Sequence, residues 1–161
     1  MKGFKERALA RLKSEEGFTL IELMVVVMII GQLLLLSIPT FIGTKNRAMD
    51  AAAKSGAVRA IQTGRIVYTD TVSYTSASTS ALTTAEPSMT FNNATTASTG
   101  SKVASTDNSA PQVFTVAVWS TSGTCFYAKD QALVGVSYGK VTGGTQANCT
   151  ASNVPGTLTG W

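Results

Sequence analysis

From Phe18 to Ile42 the chain reads FTLIELMVVVMIIGQLLLLSIPTFI, twenty-five residues with one charge, Glu22. Apolar side chains fill every face of such a segment, so it predicts a helix with no polar side, roughly 37 Å long at 1.5 Å per residue and able to cross a bilayer. Beyond Ile42 the pattern becomes amphipathic. Met49, Ala53, Ala57, Ala60, Ile61, Gly64 and Tyr68 recur three or four apart, while Lys45, Arg47, Asp50, Lys54, Arg59 and Arg65 cover the other faces. The spacing predicts one helix from Phe18 to Tyr68, membrane-spanning over 18–42 and amphipathic over 43–68. Asp50 and Lys54 stand as an i,i+4 pair in the favourable order. The inner stripe is rich in small residues, with Ala51 to Ala53, Gly56 and Gly64 permitting close approach of a packed sheet.

Residues 69–110 lose this period. Twenty of these forty-two residues are Ser or Thr, which predicts a long surface loop with a short strand near Ser88 to Phe91. From residue 111 the pattern turns to alternation. Val113 to Ser120 places Phe114, Val116 and Val118 on one face, Thr121-Ser122-Gly123 turns, and Thr124–Ala128 and Ala132–Tyr138 read as further strands. Gly139 to Gly144 reads as another turn, and Val154 to Trp161 as a last short edge. The expected class is α+β, a ladle in which a long N-terminal helix packs on a C-terminal antiparallel sheet.

Length changes this picture little, since 161 residues suit a single domain. Charge adds more. The first seventeen residues carry Lys2, Lys5, Arg7, Arg11 and Lys13 against Glu6, Glu15 and Glu16, so half of the chain's net charge of +4 sits there and the other half is spread thinly. Cations ahead of the apolar run put the N-terminus in the cytoplasm and the C-terminus outside. Histidine is absent, which removes the commonest general base and metal ligand. Asp50, Asp70, Glu86, Asp107 and Asp130 are scattered singly, and two cysteines do not make a zinc site. The expectation is therefore no enzyme, no cofactor and no metal. Lys102, Lys129 and Lys140 are weak evidence for DNA binding, being well separated and without stacking aromatics beside them.

No A-x-A-like cleavage site directly follows the apolar run, as an ordinary signal peptide requires. Instead GFTLIEL, Gly17 to Leu23, stands at the junction of charged head and apolar segment. This junction resembles the processing site of type IV pilins and related prepilin-like proteins. The resemblance covers roughly Glu16 to Pro39. It implies that 1–17 is a cytoplasmic leader cut after Gly17 by a prepilin peptidase, and that Phe18 becomes an N-methylated first residue. It also makes Glu22 the acidic assembly residue. A carboxylate in an apolar helix needs a partner, and the new amine of a neighbouring subunit is cationic near neutral pH. Gly31 and Pro39 fall where such helices loosen in a filament; a proline also removes one intrahelical donor.

The resemblance further implies a homo-oligomeric helical filament, an inner-membrane assembly platform and cytoplasmic motor ATPases. The subunit is anchored in the membrane before assembly and becomes extracellular afterwards. Cys125 and Cys149 lie in the exported part, where a disulfide closing a loop of about twenty-five residues is expected. It resembles the disulfide-bounded C-terminal loop of many pilins; two reduced core cysteines are the other reading. Function is expected to be that of a structural pilus subunit serving adhesion, motility or DNA uptake. The alternatives are a pseudopilin of a type II secretion system and a single-pass anchored envelope protein. Major pseudopilins typically bind calcium through an acidic C-terminal loop, whereas the last thirty-six residues here contain one acidic side chain, Asp130.

Overall fold

A computed structural model describes residues 17–161 of the chain. The charged head with its five cations, and all of the expected leader except Gly17, lie outside the described residues. The chain divides into two units, 1–42 and 43–161. One helix, α1 (Leu20–Thr71), contributes to both. It begins two residues after Phe18 and runs three residues past Tyr68, continuing without a break through Pro39.

In the first unit every described residue is exposed, including Leu20, Ile21, Val25, Ile29, Leu33 and Ile38. The helix there is long and apolar enough to cross a membrane by length and composition. Hydroxyls beside Pro39 turn onto the backbone. Ser37 Oγ donates to the Leu33 carbonyl at 2.8 Å and Thr40 Oγ1 to the Ser37 carbonyl at 2.8 Å. Such bonds are how a helix in an apolar setting keeps short polar side chains satisfied.

The second unit is built on a five-stranded sheet in the order β1-β2-β3-β4-β5. Its strands are β1 (Thr90–Asn92), β2 (Val103–Ala110), β3 (Val113–Ser120), β4 (Thr124–Gln131) and β5 (Gly135–Thr142). β1 pairs with β2 in parallel, and the remaining neighbours are antiparallel. The α1 stripe of Ala53, Gly56, Ala57, Ala60, Ile61 and Gly64 is buried, and the core joins it to Phe114, Val116, Val118 and Phe126. This is the face that the period-3.6 and period-2 patterns select. Large side chains on the sheet meet small ones on the helix. A Cβ on Gly64 would stand 2.6 Å from Cδ1 of Phe114, and one on Gly56 would overlap the Ser101 carbonyl oxygen.

Several expectations are corrected. Residues 69–110 are not one loop but contain a 3-10 turn (Tyr74–Ser76), the short helix α2 (Thr79–Ala85), β1 and β2. Their hydroxyls replace the apolar signal. Ser98 Oγ accepts from the Trp119 amide at 2.8 Å, and Ser105 Oγ donates to the Asn93 carbonyl at 3.0 Å while accepting from Ala151 N at 2.9 Å. Both serines are fully buried, so composition concealed a core role. β5 starts at Gly135, not Ala132, because Ala132-Leu133-Val134 form the hairpin turn and the Leu133 and Val134 side chains stand in solvent. Gly139 lies inside β5 instead of opening a turn; a Cβ there would meet Leu158 at 2.5 Å.

Val154 to Trp161 is not a strand. It passes from the outer face, where Leu158 packs with Trp119 and Tyr127, to the helix side, where Trp161 meets Phe126 and Tyr138. One bond fastens it to the β5 edge, Gly160 N to the Tyr138 carbonyl at 2.8 Å. Asp50 makes no ion pair with Lys54 among the described residues. Its carboxylate instead accepts from the hydroxyls of Ser120, at 2.7 Å, and Ser122. Lys54 Nζ lies 5.5 Å from the Phe126 ring centroid, a cation–π distance.

Candidate functional site

At the start of α1, Thr19 precedes the first helical turn and Glu22 sits in it. Glu22 Oε2 accepts from the Thr19 amide at 3.0 Å and from Thr19 Oγ1 at 2.7 Å, and the Glu22 amide donates to Thr19 Oγ1 at 3.3 Å. This reciprocal pattern is a capping box, which supplies amides that the first turn leaves without partners. Its sequence signal is the T-x-x-E spacing of Thr19 and Glu22, which the assembly role expected of Glu22 does not require. The carboxylate stays exposed on the helix start and keeps acceptor capacity for a further donor. Gly17 and Phe18 lie just ahead, exposed and outside the helix. Gly31 has nothing within 4 Å of a Cβ built on it.

In the second unit Cys125 and Cys149 stand at disulfide distance and are bonded, their Cα atoms 5.5 Å apart. Both are buried beside Trp119 and Tyr127, so the bridge fastens the segment after β5 onto the outer face of β4. A separate polar knot joins α1 to the sheet. Asp130, fully buried, receives Arg65 Nε at 2.5 Å and Arg65 Nη2 at 3.1 Å, and the Tyr74 hydroxyl at 2.7 Å. Burial, followed by the bond to Asp130, pushes the Tyr74 phenol well above its ordinary value. The bond to Asp130 likewise raises Arg65. Sequence reasoning placed Arg65 on the polar side of the helix and left Asp130 single; nothing in spacing links two residues sixty-five apart.

Lys102, Lys129 and Lys140 are not gathered. Lys129 pairs across from Thr115 and Lys140 across from Phe126, so they project from opposite faces of the sheet. No group of three acidic or cysteine side chains that suits a metal ion occurs among the described residues.

Residues 12–38 match the family model of the prokaryotic N-terminal methylation motif, the type IV prepilin leader signature. No curated protein and no solved structure matches the chain. The motif supports a type IV pilin-like or pseudopilin protein, and the family that carries it is structural. It implies processing by prepilin peptidase and assembly into pili. The long helix on a mostly antiparallel sheet is consistent with the pilin fold. An apolar N-terminal helix with this motif fits a membrane-anchored protein that is later assembled.

Proposed function

We propose that the chain is a structural subunit, the major pilin, of a type IV pilus. The supporting observation is the leader signature at 12–38 joined to a helix whose large apolar side chains from Leu20 to Ile38 are exposed among the described residues. Before assembly, that surface is solvated by lipid, with the N-terminus in the cytoplasm and residues 43–161 outside. After assembly the same surface packs against the helices of other copies, so anchor and filament core are one element. Peptidase cleavage after Gly17 frees the amine of Phe18, which is then methylated. Glu22 of one subunit receives the amine of another while its bonds to Thr19 hold the helix start in shape. Gly31 and Pro39 let the helix flex as it leaves the membrane. The platform and motor ATPases act from the cytoplasmic side. Adhesion, motility or DNA uptake is then a property of the filament surface.

A pilus is favoured over a secretion pseudopilus by the environment of Asp130. It is the single acidic side chain of the last thirty-six residues, and Arg65 and Tyr74 already occupy it. The test is mass spectrometry of filaments sheared from cells. Abundant chain beginning at N-methylated Phe18 is the expected result. Processed chain that stays in the envelope and is missing from the sheared fraction contradicts the pilus. An unshortened mass of the wild-type chain contradicts the whole reading in favour of a non-polymerising anchored protein.

A further inference from the structure

The flank between α1 and β5, wholly within the second unit, gathers cations and rings that lie far apart in the chain. Lys54 Nζ lies 5.5 Å from the Phe126 ring centroid. Lys140 pairs directly across from Phe126 in the β4–β5 ladder, so it stands on the same, α1-facing side of the sheet. Tyr138, two residues earlier on β5, shares that side. Trp161 completes the group. Its indole meets Tyr138 at 4.5 Å and Phe126 at 5.6 Å between ring centroids, and the bond from Gly160 N to the Tyr138 carbonyl, 2.8 Å, seats it there. Two lysines eighty-six residues apart thus flank one cluster of aromatic side chains.

The charges of this cluster are left over. Neither Lys54 nor Lys140 takes part in an ion pair among the described residues, where Arg65 and Asp130 form the one pair. Acidic groups that could neutralise them are engaged elsewhere. Asp50, one turn before Lys54, accepts from the hydroxyls of Ser120 and Ser122, and Asp130 is held by Arg65 and Tyr74. The rings are also open to a partner: Lys140 is exposed, and Tyr138 and Trp161 are partly exposed. Lys129 provides the contrast, since it pairs across from Thr115 and projects from the opposite face of the sheet. Cations set beside accessible ring faces suit a ligand that carries negative charge and planar rings together.

We propose that the flank formed by Lys54, Lys140, Tyr138 and Trp161 binds single-stranded nucleic acid, with phosphates on the two lysines and an unpaired base stacked on the Trp161–Tyr138 pair. A single strand fits because its bases are free to stack on side chains, whereas a duplex keeps its bases against one another and offers this flank phosphates alone. An acidic polysaccharide supplies the charge but no aromatic ring for the indole. The site uses residues of the second unit only. It goes beyond the filament reading and holds whether or not the chain polymerises.

The test is fluorescence anisotropy of a labelled oligothymidylate titrated with the detergent-solubilised full chain over a series of salt concentrations. The expected result is binding whose logarithm falls with the logarithm of salt at a slope of about −1.4, two phosphate contacts at about −0.7 each for a single strand. Lys54→Gln and Lys140→Gln should each weaken binding and bring the slope to about −0.7. Trp161→Ala should weaken it about tenfold with the slope kept, and Trp161→Phe, which retains a ring, should recover part of the loss. Lys129→Gln should change nothing. No binding by the wild-type chain overturns the proposal, as does equal binding of an oligoadenylate–oligothymidylate duplex. A loss from Lys129→Gln as large as that from Lys140→Gln means diffuse charge and overturns it too. Binding of polygalacturonate that is lost in Lys54→Gln, with none of the oligothymidylate, assigns the flank to an acidic polysaccharide instead. All of these outcomes leave the filament reading untouched, because the mass of sheared filaments decides that separately.

Discussion

The two halves of α1 contrast in what covers them. Over Leu20 to Ile42 the helix presents Leu, Ile, Val and Met in every direction, and all of them are exposed. Over Gly43 to Thr71 it presents a narrow stripe of Ala and Gly, buried under Phe114, Val118 and Phe126. A sheet with bulky side chains leaves room only for a helix with small ones, since interiors are close-packed. Bulk on the first half therefore has no place within this fold and implies an external apolar solvent, lipid or other copies. The contrast makes a sharp claim: changes in the first half alter insertion and assembly but leave the head's stability alone, and changes in the second half do the reverse.

Glu22→Ala is the largest expected break. The variant is exported and cut after Gly17 but yields no filaments, while urea unfolding of the detergent-solubilised full chain, read by Trp119 and Trp161 fluorescence, is unchanged. A normal filament yield sinks the assembly role of Glu22, and a shifted unfolding midpoint sinks the separation of the two halves.

Loss of the disulfide is expected to be the largest change in head stability. Cys125→Ser with Cys149→Ser releases the segment after β5 and costs about 2–5 kcal/mol, the usual range for a small exported domain. The same unfolding measurement reads it, and membrane insertion through 18–42 should persist. Gly64→Ala comes next. The added methyl collides with the Phe114 ring, and overpacking of this kind costs about 1–3 kcal/mol. Should Gly64→Ala be neutral, the helix–sheet spacing described for the second half is wrong.

Periodicity made much of this legible. The long helix, its small-residue face and strand β3 all come from patterns in which apolar residues dominate. Where hydroxyls take over, the pattern fails. Ser98 and Ser105 are core residues held by hydrogen bonds, and α2 is capped by Ser78 Oγ, which accepts from Ala81 N at 3.2 Å. A hydropathy reading sees only solvent-loving residues in such a stretch. Leu133 and Val134 show the converse error, because apolar character suggested a strand where the chain turns in the open. At the helix start the T-x-x-E spacing of Thr19 and Glu22 is a local signal of the capping box, whereas the Arg65–Asp130–Tyr74 knot depends on distant contacts and has no local signal.

Removal of the ring that anchors the segment Val154 to Trp161 tests a smaller contribution to the second unit. Trp161→Ala loses the ring contacts with Phe126 and Tyr138, at 5.6 and 4.5 Å between centroids. The indole is partly buried, so the cost is about 1 kcal/mol, below the roughly 1.5–3 kcal/mol of a fully buried large side chain. Trp119 fluorescence still reports unfolding. The outcome that counts against an anchoring role for Trp161 is an unchanged midpoint.

The smallest effect at neutral pH is the titration of Tyr74 beside Arg65 and Asp130, which becomes visible in alkali. Burial and the bond to Asp130 raise the Tyr74 phenol above the ordinary value of about 10, and burial raises Tyr127 as well. A raised folded-state value means that the native chain keeps its proton where the unfolded chain has lost it. The associated stability is fully present below about pH 10 and is lost as pH climbs from there through the folded value. Arg65 is shifted in the same direction and stays charged throughout this range, so it holds Asp130 while Tyr74 titrates. The unfolding midpoint of the wild-type chain should therefore be flat from neutral pH to about 10 and fall steeply above it. Tyr74→Phe should start lower, by about 1 kcal/mol for one lost hydrogen bond, and decline less in alkali. Parallel declines for the two chains would mean that Tyr74 does not carry the alkaline sensitivity of the head. No change is expected in the apolar half of α1, whose helix signal in detergent should persist after the head has unfolded.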